Sequence, residues 1–122
     1  MHLVLDPNTG LPLYLQIADG IREAVAAGAL AEGQELPSVR TLGADLRVNY
    51  HTVARAYRLL EDEGLLTRRR GGPYTVVLGA ADLLSRVLLA ADVDALLRRA
   101  DALGVDLDAV LALVRERAAN TP

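Results

Sequence analysis

Between Ser38 and Leu78 the chain gathers polar and cationic side chains at spacings suited to reading a nucleic-acid duplex. His51, Thr52, Arg55, Arg58 and Asp62 remain outside once the apolar positions Val53, Ala56, Tyr57 and Leu60 are assigned to a buried face at i, i+3, i+4, i+7. His51 and Thr52 are short donors and acceptors at the start of this helix, where the free N–H groups and the helix dipole favour a phosphate. Arg55, one turn on, can reach a phosphate or a guanine edge. Arg40 falls in the first turn of the preceding helix, the element that crosses the DNA backbone in such folds, and is placed to clamp a phosphate. Ser38, at the start of that preceding helix, and Asn49, in the break between the two helices, are assigned to the same set. Further on, Arg68-Arg69-Arg70 precede Gly71-Gly72; strand alternation sends Arg68 and Arg70 to one side, and a glycine tip lets the backbone approach a groove.

Taken alone, an amphipathic helix and a charge run also describe ordinary solvated surfaces, so the distribution of charge matters. The chain is acidic as a whole, with a net charge of −3 and pI near 5.3, which argues against a non-specific nucleic-acid coat. Yet the stretch from Ser38 to Leu78 holds seven arginines against four acids, and the rest of the chain is correspondingly more acidic. The basic charge is localised where the polar pattern lies. A winged-helix module for protein–protein interaction is the alternative, favoured by the acidic total and opposed by the positive sign of this face.

Other chemistries lack their residues. Without cysteine there is no disulfide, thiolate metal site or thiol nucleophile, and the composition suits a reducing cytoplasm. The two histidines, His2 and His51, have no evident nucleophile or acid partner, so no catalytic residue is assigned and an enzyme is not expected. The aspartates at 82, 92, 94, 101, 106 and 108 have no histidine nearby, and three of them stand at expected helix starts; capping is the reading preferred over a metal site, and no cofactor is assigned. No apolar run reaches the roughly 18 residues of a membrane span, and the N-terminus has no signal-peptide pattern. The expected location is cytoplasmic.

These side chains need a frame, and the apolar periodicity supplies one. A first helix is expected from Pro12, tolerated at a helix start, with Ile17, Ile21, Ala24 and Val25 on one face and Gly28 as its stop. A connector with a turn at Gly33 and a short extended piece at 34–36 leads to a second helix capped by Ser38 and buried through Val39, Leu42 and Leu46. After a break at 47–49, the third helix runs from about Tyr50 to Glu63 and ends at Gly64. Leu65–Arg70 and Tyr74–Leu78 then flank Gly71-Gly72-Pro73 as a hairpin. The expected fold is mostly α with a small β-hairpin: a winged helix-turn-helix domain over 1–78, its motif running from Pro37 to Val77, followed by a short α-helical dimerisation tail over 79–122.

In the tail, Asp82, Asp92 and Asp106 are candidate N-caps and Gly104 a stop, which predicts three short helices. Its apolar clusters are Leu83, Leu84, Val87 and Leu88; Val93, Leu96, Leu97, Ala100 and Leu103; and Leu107, Val110, Leu111 and Val114. Three short helices cannot hide all of this among themselves, so a second copy of the chain is the expected cover. So short a tail encloses no obvious concave apolar site, and a small-molecule effector is left unassigned.

Leu13-Tyr14-Leu15-Gln16-Ile17, Leu36-Pro37-Ser38-Val39-Arg40-Thr41-Leu42, Val48–Tyr57 and Leu60-Glu61-Asp62-Glu63-Gly64-Leu65-Leu66 resemble, in order and spacing, the DNA-binding domain of GntR-type regulators over roughly residues 11 to 78. The short helical tail resembles the YtrA-type subgroup of that family. The resemblance implies a dimeric regulator, often a repressor, on a double-stranded DNA operator with two-fold symmetry. It also implies DNA contact at Arg40, at Tyr50, His51 and Thr52, and at the wing. The chain departs from the common pattern in four places. Tyr50 and Ala54 stand where many members have arginine, with Arg55 expected to cover part of the lost contact. Pro73 follows the wing glycines and stiffens the turn. Gly43 replaces a common alanine, at an expected cost of up to about 1 kcal/mol of helix stability.

Overall fold

The computed structural model describes residues 2–121 and divides into two compact units, with the boundary between Ser85 and Arg86. The element order is α1 (Leu13–Ala26), α2 (Val39–Leu46), α3 (Tyr50–Asp62), β1 (Leu66–Thr67), β2 (Thr75–Val76), α4 (Ala80–Ala102) and α5 (Leu107–Ala119).

In the first unit α2 and α3 start where the sequence provides a side-chain partner for free backbone groups, while α1 starts after Pro12 without a side-chain cap. Pro12 is the residue before α1, and its carbonyl accepts from Leu15 and Gln16 N–H at 3.1 and 3.2 Å. Gly28, at φ +80°, turns the chain away beyond the helix end. The Ser38 hydroxyl accepts from Thr41 N–H at 3.1 Å, and the Asn49 side chain accepts from His51 N–H at 2.9 Å, so both residues are N-caps. Between α2 and α3 the chain reverses through Arg47, the one non-glycine residue with positive φ (58°) among those described.

Gly43 serves this reversal. It is buried, and a Cβ there would stand 3.1 Å from the Val48 carbonyl oxygen and 3.2 Å from Tyr50 Cα. The absent side chain therefore lets the turn close on α2, in addition to the expected cost in helix propensity. At Gly20 of α1 a Cβ would meet only the end of the Leu3 side chain, at 2.6 Å, a group that can move aside where the backbone around Gly43 cannot. Gln16 fastens the same N-terminal arm: it donates to the carbonyls of Asp6 and Leu11 at 2.8 and 2.9 Å and accepts from Asp6 N–H at 2.8 Å.

The core of this unit joins Ile17, Ile21 and Val25 of α1, Leu42 of α2, Val53, Tyr57 and Leu60 of α3, and Leu66 and Val76 of the hairpin. The strands pair antiparallel, Leu66 with Val76 and Thr67 with Thr75. On the other side of β2 the connector adds a bridge, Glu35 to Thr75, flanked by Leu36 N–H to Tyr74 O at 2.8 Å and Val76 N–H to Gln34 O at 3.0 Å. The extended piece expected at 34–36 is thus present and buttresses the wing. The paired ladder is shorter than expected: Arg68, Arg69 and Arg70 lie beyond it, so the side-to-side alternation read from the sequence does not apply to them. The Gly-Pro tip explains this, since proline has no N–H to give to a ladder.

The unit also claims the start of α4. Ala80 and Leu84 are buried in the same core, and the Ser85 hydroxyl donates to the Ala26 and Ala81 carbonyls at 3.2 and 2.8 Å. Leu84, expected at an interface between copies, is therefore occupied within its own chain.

The tail is two helices rather than three. Asp92 lies inside α4, Asp82 lies in its first turn, and Asp106 is the N-cap of α5, accepting from Ala109 N–H at 2.9 Å. An interior aspartate costs a helix only a few tenths of a kcal/mol, and no glycine or proline interrupts residues 80–103. The break falls instead at Gly104, at φ +73°. Within the second unit Ala100 and Val110 are buried, while Leu96, Leu97, Leu107, Leu111 and Val114 stay between 40% and 58% exposed. No helix among the described residues is long and apolar enough to cross a membrane.

Candidate nucleic-acid interface

Three segments present the cationic side chains: the first turn of α2, the first two turns of α3, and the loop at the end of the hairpin. The free N–H groups expected at the start of α3 are taken up: the His51 and Thr52 N–H groups donate to the Asn49 side chain and carbonyl, both at 2.9 Å, so this end presents the His51 and Thr52 side chains instead.

Arg40 and Arg55 bracket this start, and each is stacked on a tyrosine. The Arg40 guanidinium carbon lies 4.2 Å from the Tyr50 ring centroid, and Tyr50 in turn stacks on His51 at 4.2 Å between centroids. Arg55 lies 3.8 Å over the ring of Tyr14, which belongs to α1. Two open hollows of about 400 and 430 Å³ flank His51, one lined by Arg40, Gly43, Ala44, Val48, Asn49, Tyr50 and His51, the other by Leu13, Tyr14, His51, Thr52 and Arg55. No acidic residue lines either. A guanidinium whose face rests on a ring keeps its N–H edges free for a bidentate acceptor, the geometry that guanine and phosphate both offer.

Ser38 and Asn49 enter this site differently from the arginines. Their side-chain oxygens are committed to capping, and the Ser38 hydroxyl also donates to Thr41 Oγ1 at 2.9 Å. Arg58 is exposed two turns into α3. Arg68, by contrast, is engaged: its guanidinium carbon lies 4.6 Å from the Tyr74 ring centroid, and its Nε is 3.9 Å from Glu61 Oε2. The Tyr74 hydroxyl donates to the other Glu61 oxygen at 3.3 Å, and burial, the largest influence, raises the Tyr74 pKa. Arg69, Arg70 and Gly71 at the loop are exposed, and Gly71 takes φ +75°. A Cβ on Gly72 would stand 3.3 Å from the Arg69 carbonyl oxygen, to which Gly72 N–H donates at 2.8 Å.

Sequence reasoning missed Tyr14 and Glu61, because both act on arginines through the fold: Tyr14 lies 41 residues from Arg55, and neither pair has helical or strand spacing. It also passed over Arg69, which lines a hollow of about 560 Å³ beside the wing with Glu35, Thr67 and Thr75.

The chain resembles known proteins throughout this region. Residues 13–76, just over half of the chain, match the family model described as bacterial regulatory proteins, gntR family. The transcriptional repressor YtrA of Bacillus subtilis is 39% identical over 67 residues, which are 55% of this chain and 52% of that protein. The chain thus matches about half the length of this relative. A GntR family transcriptional regulator from Listeria monocytogenes superposes with a TM-score of 0.79 at 25% identity, covering 89% of this chain and 97% of that one. The DNA-binding domain of AraR, solved in complex with operator ORE1, superposes with a TM-score of 0.53 at 27% identity, covering 63% and 94%. With a mostly helical fold, a two-stranded wing and a matching family model, the chain belongs to the GntR family of bacterial regulatory proteins, and its first unit is a winged helix-turn-helix.

Proposed function

We propose that this chain is a cytoplasmic, sequence-specific DNA-binding transcription repressor that acts as a homodimer on a two-fold symmetric operator. The start of α3 enters the major groove, while α2 and the wing hold the backbone. The observation that carries this reading is the pair of ring-stacked arginines, Arg40 and Arg55, on either side of the His51–Thr52 helix start, in hollows without an acidic lining. The operator complex solved for AraR and the repressor name of YtrA support it by similarity.

The dimer rests on the second unit. Leu89, Val93, Leu96 and Leu103 fall on steps of four and three, the spacing of a helix–helix seam whose remaining position, Ala100, is already buried within the unit, and the leucines at 89 and 103 are each 62% exposed. Leu107, Leu111 and Val114 continue an exposed apolar row on α5. A second copy is the cover such surfaces call for.

Fluorescence anisotropy on DNA from upstream of the protein's own gene tests the reading, with footprinting to locate the site. Arg40→Ala and Arg55→Ala should each weaken binding by about 1–3 kcal/mol, and affinity should fall steeply with salt as counterions are released. Binding that ignores both substitutions, or a flat salt response, moves the function to a protein partner. Leu96→Glu with Leu111→Glu should sediment as a monomer; a dimer in that variant places the interface elsewhere.

A further inference from the structure

We infer that Tyr14 is a positioning residue for DNA recognition, so that α1, which the expected contact set omits, shapes what the recognition helix reads; this rests on the DNA-binding reading above. The Arg55 side chain is exposed, and among the described residues its one recorded partner is the Tyr14 ring, 3.8 Å from the guanidinium carbon. Tyr14 itself, the second residue of α1, is half-buried and packed against the core of the first unit, so its ring is restrained by that packing. A free arginine samples many rotamers and must give them up on binding DNA. Stacking settles part of that choice beforehand, and it does so with the ring face, leaving the planar N–H fork for two acceptor atoms. Those acceptors are guanine O6 and N7 or a pair of phosphate oxygens. Ala54, beside Arg55, supplies no cation of its own, so Arg55 is the one arginine in the first two turns of α3.

The test is a double-mutant cycle on the footprinted duplex, with the full-length chain and its Tyr14→Leu, Tyr14→Phe, Arg55→Ala and Tyr14→Leu/Arg55→Ala variants. Tyr14→Leu should weaken binding by about two- to fivefold, the range of an exposed cation–π contact, and Tyr14→Phe should restore it. In the Arg55→Ala background, Tyr14→Leu should cost nothing further. Equal losses in both backgrounds would make Tyr14 a purely structural residue and overturn the inference, as would parental binding by Tyr14→Leu. The salt slope and base substitutions at the contacted position separate the two acceptors: a loss confined to one guanine marks base reading, and a uniform loss marks phosphate. A second readout needs no DNA. The Arg55 side-chain protons of the free protein should carry a ring-current shift that Tyr14→Leu removes and Tyr14→Phe keeps; its absence in the parent sinks the proposal. Failure of the parent to bind any duplex, with the ring-current shift intact, would instead count against the DNA-binding reading.

Discussion

Arg22 of α1 grips Glu63 at the end of α3 through both arms of its guanidinium: Nε donates to Oε2 at 3.0 Å, and Nη2 donates to both carboxylate oxygens. Asp19 accepts from Nη1 at 2.6 Å, and the Arg22 side chain is only 18% exposed. The hydrogen bond to Glu63 is the main reason the guanidinium pKa is raised further. This fork ties together the two helices whose angle sets the recognition helix, and a bidentate, partly shielded pair is the geometry in which an ion pair contributes. Glu63→Gln should therefore lower stability by about 1 kcal/mol in urea titrations. Arg22→Lys should fail to preserve it, because a single ammonium cannot replace a planar fork. An unchanged midpoint in both variants would show the pair to be ornamental.

Tyr57 offers a pH-dependent counterpart. Its hydroxyl donates to the Pro37 carbonyl at 2.8 Å, and its ring packs edge-on against Tyr74 at 5.2 Å between centroids. Burial raises its pKa well above the ordinary 10.0. The folded state therefore keeps the phenol proton at a pH where the unfolded chain has lost it, and stability from this group is complete below pH 10 and declines as pH rises beyond it. Tyr57→Phe should cost about 1 kcal/mol near neutrality through the lost hydrogen bond, yet flatten the alkaline decline. Denaturant midpoints measured from pH 8 to 11.5 check the slope; parallel curves for both proteins would refute the assignment.

The contrast between these contacts and the helices marks what sequence could and could not convey. Ile17, Val53, Ala56, Tyr57 and Leu60 were legible because helix periodicity puts them on one face, and Ser38 and Asp106 because capping acts within three residues. Gly28, Gly64 and Gly104 read as stops for the same local reason, and each takes positive φ. What escaped was set at a distance. Leu84 followed the spacing of an exposed tail cluster, yet α4 begins against α1 and buries it. Asp92 had the composition of a cap but no chain break beside it, so α4 runs through. In the candidate site, the arginines were visible as a charge excess, while Tyr14 and Glu61, which orient two of them, were not.

Glu61 leads to a prediction of opposite sign to most substitutions at such a surface. It draws Arg68 toward Tyr74 by an ion pair of 3.9 Å and accepts from the Tyr74 hydroxyl. Arg68 is about half exposed in this state, so the pair is weakly held and open to competition from a phosphate. Glu61→Gln keeps an acceptor for Tyr74 while removing the charge that restrains Arg68 and repels the DNA backbone. Affinity should rise by about two- to fivefold, with the salt slope steeper by about one ion. Anisotropy titrations at several salt concentrations read both quantities. Weaker binding would mean that Glu61 instead holds the wing in its productive geometry.

The division of α4 makes a prediction about where the chain can be cut. A chain ending at Leu78 loses Ala80 and Leu84, which close the core of the first unit, and also the Ser85 tie to the Ala26 carbonyl. Removing a buried leucine alone costs about 2–5 kcal/mol, a large share of what a domain of this size has. A chain ending at Arg86 keeps all three groups and gives up only residues of the second unit. The longer fragment should thus unfold cooperatively near the parent's first-unit midpoint. The shorter should melt several degrees lower or fail to fold, as read by circular dichroism. On the proposed dimer, both should sediment as monomers and bind a two-half-site operator weakly, but only the longer should retain measurable affinity for a single half-site. Equal melting of the two fragments would show that Leu84 covers nothing the winged helix needs, and the start of α4 would then belong with the rest of the tail.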